Sequence, residues 1–200
     1  MKKLFLLLIF LLSVTFAKAQ LNIFTGAGIN ICNLKISGFD GYNTGSTTNY
    51  YLSVRPTLKL SEYLHLSVDL QFSKRGFKTQ DSNGIPPGRY QFLEIIPQLE
   101  YRIIKGLGLY SGISIGINGE EEYKINDVWE KAKIKVLNKA DLGIVLGLRI
   151  YPSTRFSICT QISNSLVSVS DNLFTDSNGN KLDTKFIFRN IQLGVAFRII

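Results

Sequence analysis

Hydrophobic and polar residues alternate one by one along eight stretches of the chain between positions 20 and 200. The clearest alternation covers positions 64–74, where Leu64, Leu66, Val68, Leu70 and Phe72 alternate with His65, Ser67, Asp69, Gln71 and Ser73. A period of two residues indicates a β-strand whose two faces meet different surroundings. The other stretches lie around positions 22–34, 50–60, 92–103, 107–118, 141–151, 155–167 and 185–200. The pattern therefore predicts eight strands and an all-β fold.

The connections between these stretches differ in length in a regular way. Tight turns are predicted at 61–63, 104–106 and 152–154, whereas the connections at 35–49, 75–91, 119–140 and 168–184 are long and polar. Short periplasmic turns and long extracellular loops are the rule for outer-membrane barrels. An even number of strands also closes the sheet, so that no strand edge lies unpaired in lipid.

The two faces of the predicted strands differ in charge. The face with the large aliphatic residues carries almost none, and the opposite face holds the charged residues Arg55, Lys59, Asp69, Glu94, Glu100, Arg102, Asp141, Arg149 and Arg198. A soluble lipocalin-type barrel has the reverse arrangement, with the apolar face inside. Aromatic residues expected at the strand ends are Tyr101, Phe156, Phe197, Tyr50 and Phe72. The sequence thus predicts an eight-stranded antiparallel up-and-down transmembrane β-barrel, with short periplasmic turns and long extracellular loops.

Pro97 falls on the apolar face of the fourth predicted strand. Proline cannot donate a hydrogen bond to a neighbouring strand. We therefore expect either a β-bulge or a local break in strand pairing at this position.

The first 19 residues have the composition of a secretory signal peptide. Lys2 and Lys3 precede an apolar run, and an A-x-A arrangement at 17–19 predicts cleavage before Gln20. An uncleaved anchor is the alternative, although the apolar run is shorter than the roughly 20 residues that a spanning helix needs. Export places the barrel domain, residues 20–200, in the bacterial outer membrane. Without the signal peptide the chain has 20 Lys and Arg against 15 Asp and Glu, a net charge of +5.

The inward charges are candidates for chemistry, but they have a simpler interpretation. An eight-stranded barrel has room inside only for its own side chains, so Glu94 and Glu100 are expected to pair with the inward arginines. We expect a salt-bridge plug rather than a pair of acid–base carboxylates or a pore. The single histidine, His65, follows a predicted periplasmic turn, whereas barrel hydrolases need their base at the outer or lipid-facing rim. The sequence therefore predicts no catalytic residue, no metal ligand set and no cofactor.

Cys32 and Cys159 lie on predicted strands with another strand between them. A disulfide requires Cα atoms within roughly 7 Å. Two sheltered free thiols are the favoured interpretation, and a disulfide is the alternative.

The long connection at 119–140 has three consecutive glutamates, Glu120, Glu121 and Glu122, followed by a lysine-rich stretch around Trp129. It predicts a short extracellular helix or hairpin that either contacts a partner or lipopolysaccharide, or is merely solvated. The tetrapeptide DSNG occurs at 81–84 and 176–179 and predicts turns.

Four segments resemble the PorT-like outer-membrane β-barrel family of Bacteroidota, whose members are small barrels like OmpA and OmpX: GAGINICNL, LSVDLQFSKRGFK, FLEIIPQLEYRI and DLGIVLGLRI. Glu94 keeps the acid of the family's pattern, whereas Asp69 stands where the family usually has Glu and Gln161 where it often has Arg. The doubled isoleucine before Pro97 shifts that proline by one position. Such barrels usually end in an aromatic residue that the barrel assembly machinery recognises, but here the nearest one is Phe197.

The resemblance implies location and fold more than activity, since the family is named after a protein of type IX secretion and most relatives have no assigned role. The first hypothesis is a non-enzymatic, monomeric outer-membrane barrel with a filled lumen that acts in envelope structure or surface interaction through its loops. The second is an accessory component of a type IX-like secretion or envelope assembly complex, and the third is an outer-membrane lipid hydrolase. Expected partners are outer-membrane lipid and lipopolysaccharide, the barrel assembly machinery during insertion, and envelope or secretion proteins. No basic stripe interleaved with aromatics is present, so nucleic acid is not an expected partner.

Overall fold

The computed structural model describes residues 21–38, 44–79, 86–132, 140–170 and 184–200. The predicted signal peptide at 1–19 and the two DSNG turns at 81–84 and 176–179 lie outside the described residues. Within the described ranges, no helix is long and apolar enough to cross a bilayer.

The described residues form nine β-strands. They are β1 Leu21–Ser37, β2 Thr44–Lys59, β3 Leu64–Thr79, β4 Gly88–Ile104, β5 Leu107–Ile125, β6 Val128–Lys131, β7 Asp141–Ile150, β8 Phe156–Ser165 and β9 Lys185–Arg198. All except β6 belong to one closed antiparallel barrel, in which each strand pairs with its neighbours in the chain and β9 returns to pair with β1. The predicted eight-stranded up-and-down barrel is confirmed, with the short turns at one end (the turn end) and the long connections at the other (the loop end).

Pro97 interrupts one ladder without displacing it. On the β3 side it lies opposite Val68. On the β5 side the pairs stop at Ile95 and resume at Gln98 in the same register, and the register shifts of this strand pair lie near its two ends. Of the two predicted outcomes, the structure shows the local break in pairing and not the bulge.

The predicted division of the two faces is also confirmed. On β4, Leu93, Ile95 and Leu99 are about half exposed on the outside of the barrel, while Glu94 and Glu100 are buried inside. The outward aliphatic positions of β4 run from 93 to 103, close to the roughly 9–11 residues that a tilted strand needs to cross a bilayer. Two of the expected interfacial aromatics, Tyr101 and Phe197, are exposed near the turn end, and Tyr50 is exposed on the opposite half of the barrel.

Strands β1 to β5 are longer than predicted, whereas β7, β8 and β9 are slightly shorter. At the loop end, the face chemistry of the strands is reversed. On β9 the outward residues change from Ile191 to the charged Arg189 and Lys185, while the inward residues change from Asn190 to the buried Phe188 and Phe186. We call the part with an apolar outer surface the spanning section; on β9 it covers 190–198, and on β4 it covers 93–104. The remainder of these strands, 185–189 on β9 and 88–92 on β4, belongs to the loop-end section.

Glycine makes room for large residues inside the spanning section. At Gly147 a side-chain Cβ would overlap the ring of Tyr110, and at Gly194 it would overlap the hydroxyl of Tyr51. Both tyrosines are buried in the lumen. The glycines thus leave space in the lumen for tyrosine rings of the adjacent strand, at Gly147, or of the next strand but one, at Gly194.

The connection after β5 forms the predicted hairpin rather than a helix. Strand β5 continues to Ile125 and pairs with β6, with Ile125 opposite Val128. The two turn residues, Asn126 and Asp127, have positive φ angles of 49° and 65°. Two residues in this conformation match the twist of a two-residue hairpin, and Asn and Asp tolerate it better than most residues.

Candidate functional site

The lumen near the turn end is filled by a network around Glu100. Arg149 Nη1 donates to Glu100 Oε2 at 2.6 Å, the Tyr151 hydroxyl donates to Glu100 Oε1 at 2.7 Å, and Arg102 Nε donates to the same oxygen at 3.2 Å. Arg149 also donates to Gln98, and its guanidinium lies 3.8 Å from the centre of the Tyr110 ring. Glu100 and Arg149 are both about 1% exposed. The carboxylate is thus fully occupied by donors of the barrel itself.

The middle of the lumen is filled by polar and aromatic side chains. Arg55 lies 4.9 Å from the centre of the Phe24 ring and within 3.5 Å of Ser157 Oγ. The Tyr110 hydroxyl donates to Gln161 at 2.9 Å, and Gln161 donates to Gln192 at 2.5 Å. Two of these contacts, Arg55 with Ser157 and Tyr110 with Gln161, cross the interior between strands that are not neighbours. The cavity left among these side chains is only about 10 Å³.

A second ion network lies at the boundary between the two sections. Arg75 donates to Glu94 at 2.5 Å and also to Asp141, and the Ser73 hydroxyl donates to Glu94. All three charged residues are about 1–2% exposed. Burial of two carboxylates is tolerated here because the guanidinium lies between them. The predicted pairing of inward carboxylates with inward arginines is therefore confirmed for Glu100 with Arg149 and Arg102. Glu94 and Asp141 are also paired inside the barrel, but with Arg75.

The sequence interpretation was wrong about Arg75. It placed this residue in the loop at 75–91, whereas the structure places it inside the barrel on β3. The alternation through 71, 73 and 75 was the available signal, because these inward positions are all polar. The clean outward aliphatic pattern stops at Phe72, and this change obscured the continuation of the strand.

An aromatic cluster closes the lumen beyond Arg75. It consists of the buried residues Cys32, Leu34, Phe77, Tyr90, Phe92, Val169, Phe186 and Phe188. Phe188 makes edge-to-face contacts with Tyr90 and Phe92, each with ring centres 5.6 Å apart. The Arg75 guanidinium lies 4.6 Å from the centre of the Phe92 ring, so the ion network and the cluster are in direct contact. We call this group the aromatic plug.

The hairpin beyond the barrel carries charges of both signs. Lys131 Nζ donates to Glu120 at 2.7 Å, and this hydrogen bond lowers the pKa of the Glu120 carboxyl below its ordinary value of 4.5. Arg89 lies 3.8 Å from the centre of the Trp129 ring. Glu121 differs from its neighbours, because it is buried and accepts a hydrogen bond from Asn118 at 2.6 Å. The three consecutive glutamates are therefore not all part of one solvated surface.

A shallow groove of about 510 Å³ crosses the outer surface of β1, β9, β8 and β7. Its apolar lining includes Ile31, Ile144, Ile162 and Ile191, and Arg189 also lines it. The groove faces the position of the surrounding lipid because its aliphatic side chains point outward. Arg189 lies opposite Asn33 in the β1–β9 ladder, next to the last outward isoleucines.

At the turn end the lumen opens into a pocket of about 390 Å³, which we call the turn-end pocket. Its lining residues are Asn22, Phe24, Thr57, Lys59, His65, Arg102, Lys105, Gly106, Tyr151, Ser153, Thr154 and Arg198. Two of its lining residues, Arg102 and Tyr151, donate hydrogen bonds to Glu100. Its lining includes four cationic side chains and no carboxylate among the described residues.

His65 and the two cysteines occupy the positions expected from the sequence. His65 is buried at the start of β3, one residue after the turn, and lines the turn-end pocket. Cys32 and Cys159 are buried free thiols on β1 and β8, and β9 lies between those strands. Among the residues that the structure describes, no group of three or more His, Cys, Asp or Glu side chains could hold a metal ion.

Comparison with solved structures identifies the class of this fold. The chain aligns with the crystal structure of Ail, the attachment invasion locus protein of Yersinia pestis, with a TM-score of 0.52 and 16% identity over 89% of this chain and 98% of that one. It also aligns with Neisserial surface protein A, with a TM-score of 0.55 and 9% identity over 88% of this chain and 96% of that one. A third match, with a TM-score of 0.53 and 14% identity over 90% of this chain and 99% of that one, is Ail in complex with the heparin analogue sucrose octasulfate.

The chain therefore has the fold of the small eight-stranded outer-membrane β-barrels. No family model and no curated protein sequence matches it. At these low identities the structural matches establish the fold, and function has to be argued from this chain's own residues.

Proposed function

We propose that this protein is a non-enzymatic integral outer-membrane barrel that acts in envelope structure or surface interaction through its loop end. The observation that carries the proposal is the filled lumen. The Glu100 network, the Arg75 network and the aromatic plug follow one another along the interior. Transport through the barrel is thereby disfavoured, and the loop-end section with its hairpin is the surface we propose for contacts outside the cell.

Electrical recording tests the closed lumen directly. The mature protein, folded in detergent and inserted into a planar lipid bilayer, is expected to give no stable conductance steps at moderate voltage. A general porin inserted under the same conditions is the positive control. Steady ohmic conductance from the folded protein would contradict the proposal, because it requires a continuous water path past Arg75 and Arg149.

Display of the hairpin at the cell surface is a second, separable part of the proposal. Val128 is 59% exposed at the tip of the hairpin, and Ser153 is exposed on a turn at the opposite end. In intact cells, a Val128→Cys variant should react with a membrane-impermeant maleimide, and a Ser153→Cys variant should react only after lysis. The native cysteines are buried and provide a low background. The reverse labelling pattern would show the opposite orientation.

Lipopolysaccharide is the lipid partner that the outer surface fits best. The apolar groove beside Arg189 offers room for acyl chains next to a guanidinium, which binds phosphate groups well. Lys35 and Lys185 extend outward from the same pair of strands. Native mass spectrometry of the purified barrel should show less retained lipopolysaccharide for Arg189→Gln than for the wild type. Arg155→Gln removes the same charge at the turn end and should have no effect.

The absence of enzymatic activity is proposed from the environment of His65. Its Nδ1 atom has no hydrogen-bond partner among the described residues, so the histidine is not oriented as a base by a carboxylate. It also lies inside the lumen at the turn end, away from the lipid-facing rim. Lipid turnover by the purified protein that disappears in a His65→Ala variant would require reassignment as a lipid hydrolase.

A role in a type IX-like secretion or envelope assembly complex is the alternative proposal. It is favoured by the segments around Asp69, Glu94 and Asp141 that resemble the PorT-like family. Extraction of the protein from its own cells with mild detergent should then recover a stable envelope or secretion protein in stoichiometric amount. Recovery of the barrel alone after cross-linking would argue against this role.

We further propose that the barrel is monomeric and is inserted by the barrel assembly machinery. Within the described residues, closure of β9 onto β1 leaves the spanning section without an edge strand that could pair with a second copy in the membrane. Phe197 is about half exposed near the end of β9 and is the candidate recognition aromatic. A Phe197→Ser variant should insert less efficiently into the membrane, and unchanged insertion would exclude this residue as the signal.

A further inference from the structure

The turn-end pocket has the charge of an anion site. Lys59, Arg102, Lys105 and Arg198 contribute to its lining from four different positions around the barrel mouth. The neighbouring carboxylate of Glu100 provides one negative charge for two guanidinium groups, those of Arg149 and Arg102, so the positive charges of the lining remain in excess. Glu62, on the turn between β2 and β3, is exposed and does not line the pocket. The pocket therefore concentrates positive charge in a concave space.

Buried polar atoms in the pocket point to the same conclusion. Thr57 and His65 are 4% and 3% exposed and line its inner part. The Thr57 hydroxyl and the His65 Nδ1 atom have no hydrogen-bond partner among the described residues. Sixteen buried polar side-chain atoms of the described residues lack a hydrogen-bond partner, and these two belong to residues that line the turn-end pocket, where a ligand could provide one. Both groups are able to donate a hydrogen bond to an anion.

The remaining walls hold the cationic groups in place. The Arg102 guanidinium lies 4.3 Å from the centre of the Tyr151 ring, and Arg198 Nη1 donates to Asn22 Oδ1 at 3.2 Å. Because each arginine has five N–H donors, both retain donors for a further acceptor. Phe24 also lines the pocket, and the Arg55 guanidinium lies 4.9 Å from the centre of the Phe24 ring.

We propose that the turn-end pocket binds a phosphate-bearing anion from the periplasm. Paired guanidinium groups and lysines suit the oxygen-rich, doubly charged phosphate group, and the volume of about 390 Å³ fits a small ester rather than a macromolecule. The site lies on the lumen axis and not on the lipid-facing surface, which favours a soluble phosphate ester over the headgroup of a membrane lipid. This proposal rests on the orientation proposed above, with the turn end in the periplasm, and not on the surface role of the loop end.

The test uses the only histidine of the chain as a reporter. In a folded sample of the mature barrel in a neutral detergent, the imidazole resonances of His65 are recorded by NMR during titration with pyrophosphate at constant ionic strength. We expect a saturable shift. A shift that sodium chloride or sodium sulfate reproduces at the same ionic strength, or no shift at all, would overturn the proposal.

Variants at the rim show whether the lining cations are responsible. The Lys59→Gln/Lys105→Gln pair leaves the buried network untouched and should weaken pyrophosphate binding by about tenfold or more. Lys78→Gln/Lys124→Gln removes the same charge at the loop end and should leave the affinity unchanged. Equal weakening of pyrophosphate binding by both double variants would overturn the proposal. Heat-modifiable migration on a gel confirms that each variant is folded.

The source of the phosphate is distinguished by two further ligands. Glycerol 3-phosphate and a short-chain phosphatidic acid below its micelle concentration carry the same group on a soluble and on a lipid skeleton. Binding of both, or of the soluble ester alone, supports a periplasmic solute. Binding of the lipid alone would overturn the soluble source and assign the pocket to a headgroup. Binding of neither, despite a response to pyrophosphate, would exclude monoesters and support a pyrophosphate-type ligand.

Discussion

The spanning section and the loop-end section of the same strands have opposite distributions of polar and apolar side chains. In the spanning section, Leu193 faces outward at 51% exposure while the buried Gln192 faces inward; in the loop-end section, Arg189 faces outward while Phe188 is fully buried. Polar and apolar residues alternate through both sections. At the boundary, the apolar residues change from the outward face to the inward face. The first section keeps its polar groups away from lipid, and the second keeps its apolar groups away from water. The residues at which the apolar face changes from outward to inward therefore mark the position of the membrane surface along the strand.

Arg75 lies at this exchange and connects both kinds of interior. On one side it pairs with Glu94 and Asp141, and on the other it lies against the rings of Phe92 and Phe188. Arg75 Nε and Asp141 Oδ1 are buried without a hydrogen-bond partner among the described residues, so the network is not fully satisfied. Arg75 therefore joins the polar lumen to the aromatic plug through its ion pairs and its ring contacts.

The largest effect is expected from Arg75→Met. Loss of the guanidinium leaves two buried carboxylates uncompensated, and breaking a buried ion pair in this way costs on the order of 3–5 kcal/mol. The free energy of unfolding in urea, measured by loss of the heat-modifiable gel band, should fall by this amount. Lys78→Met, on the outward face of the same strand, is the matched control and should change little.

The triple variant Arg75→Met, Glu94→Gln, Asp141→Asn separates charge from packing. Removal of all three charges should recover most of the lost stability, since a neutral polar network no longer contains an unpaired ion. A triple variant as unstable as Arg75→Met would show that the arginine acts through its contacts with the aromatic plug.

The next largest effect is expected from Phe188→Ala in the aromatic plug. The ring is fully buried and contacts Tyr90 and Phe92, so its removal leaves a cavity and should cost about 3–4 kcal/mol. The same urea experiment applies, with Ile191→Ala as the lipid-facing control on β9. If both substitutions cost the same, the loop-end section would not be a packed core.

How far the sequence predicts this molecule depends on which section is considered. In the spanning section, the alternation around Leu66 and Asp69 predicted strand, face and burial correctly. In the loop-end section the outward apolar pattern ends after Phe72 and the inward face becomes apolar at Phe77, so Arg75 and Phe77 were assigned to a loop. The two-residue alternation continues through these positions. The outward face there meets water instead of lipid, so polar residues and not apolar ones mark it.

The turn-end pocket could not be predicted from the sequence, for a different reason. Thr57, His65, Arg102, Tyr151 and Arg198 come from separate strands or strand ends, and each has an ordinary local sequence. Their proximity depends on the registers of several strand pairs and on the closure of β9 onto β1. Periodicity within one strand contains no information about those registers. The sequence interpretation therefore weighed His65 alone and did not connect it with the cations around it.

A smaller effect is expected from introducing a charge on the outer surface of the spanning section. Leu193→Lys introduces an ammonium into the lipid-facing surface and should cost about 2–4 kcal/mol if the residue lies near the bilayer centre. Val128→Lys makes the same change at a position of similar exposure, 59% against 51%, but on the hairpin. Folding into lipid vesicles, followed by urea titration, should detect only the first change. A comparable loss at Val128 would place the hairpin in the membrane.

The smallest effect concerns the ion pair of Glu120 and Lys131 on the hairpin. Because the hydrogen bond from Lys131 lowers the pKa of Glu120, the pair is fully formed above pH 4.5 and is lost as the pH falls through the lowered pKa. In Lys131→Gln, an NMR titration of the Glu120 carboxyl should show its pKa shifted upward toward 4.5. Both side chains are largely exposed, so the urea midpoint of the barrel should not change. An unaltered Glu120 titration in this variant would mean that the pair does not persist in solution, and a displaced urea midpoint would mean that the hairpin is structurally coupled to the aromatic plug.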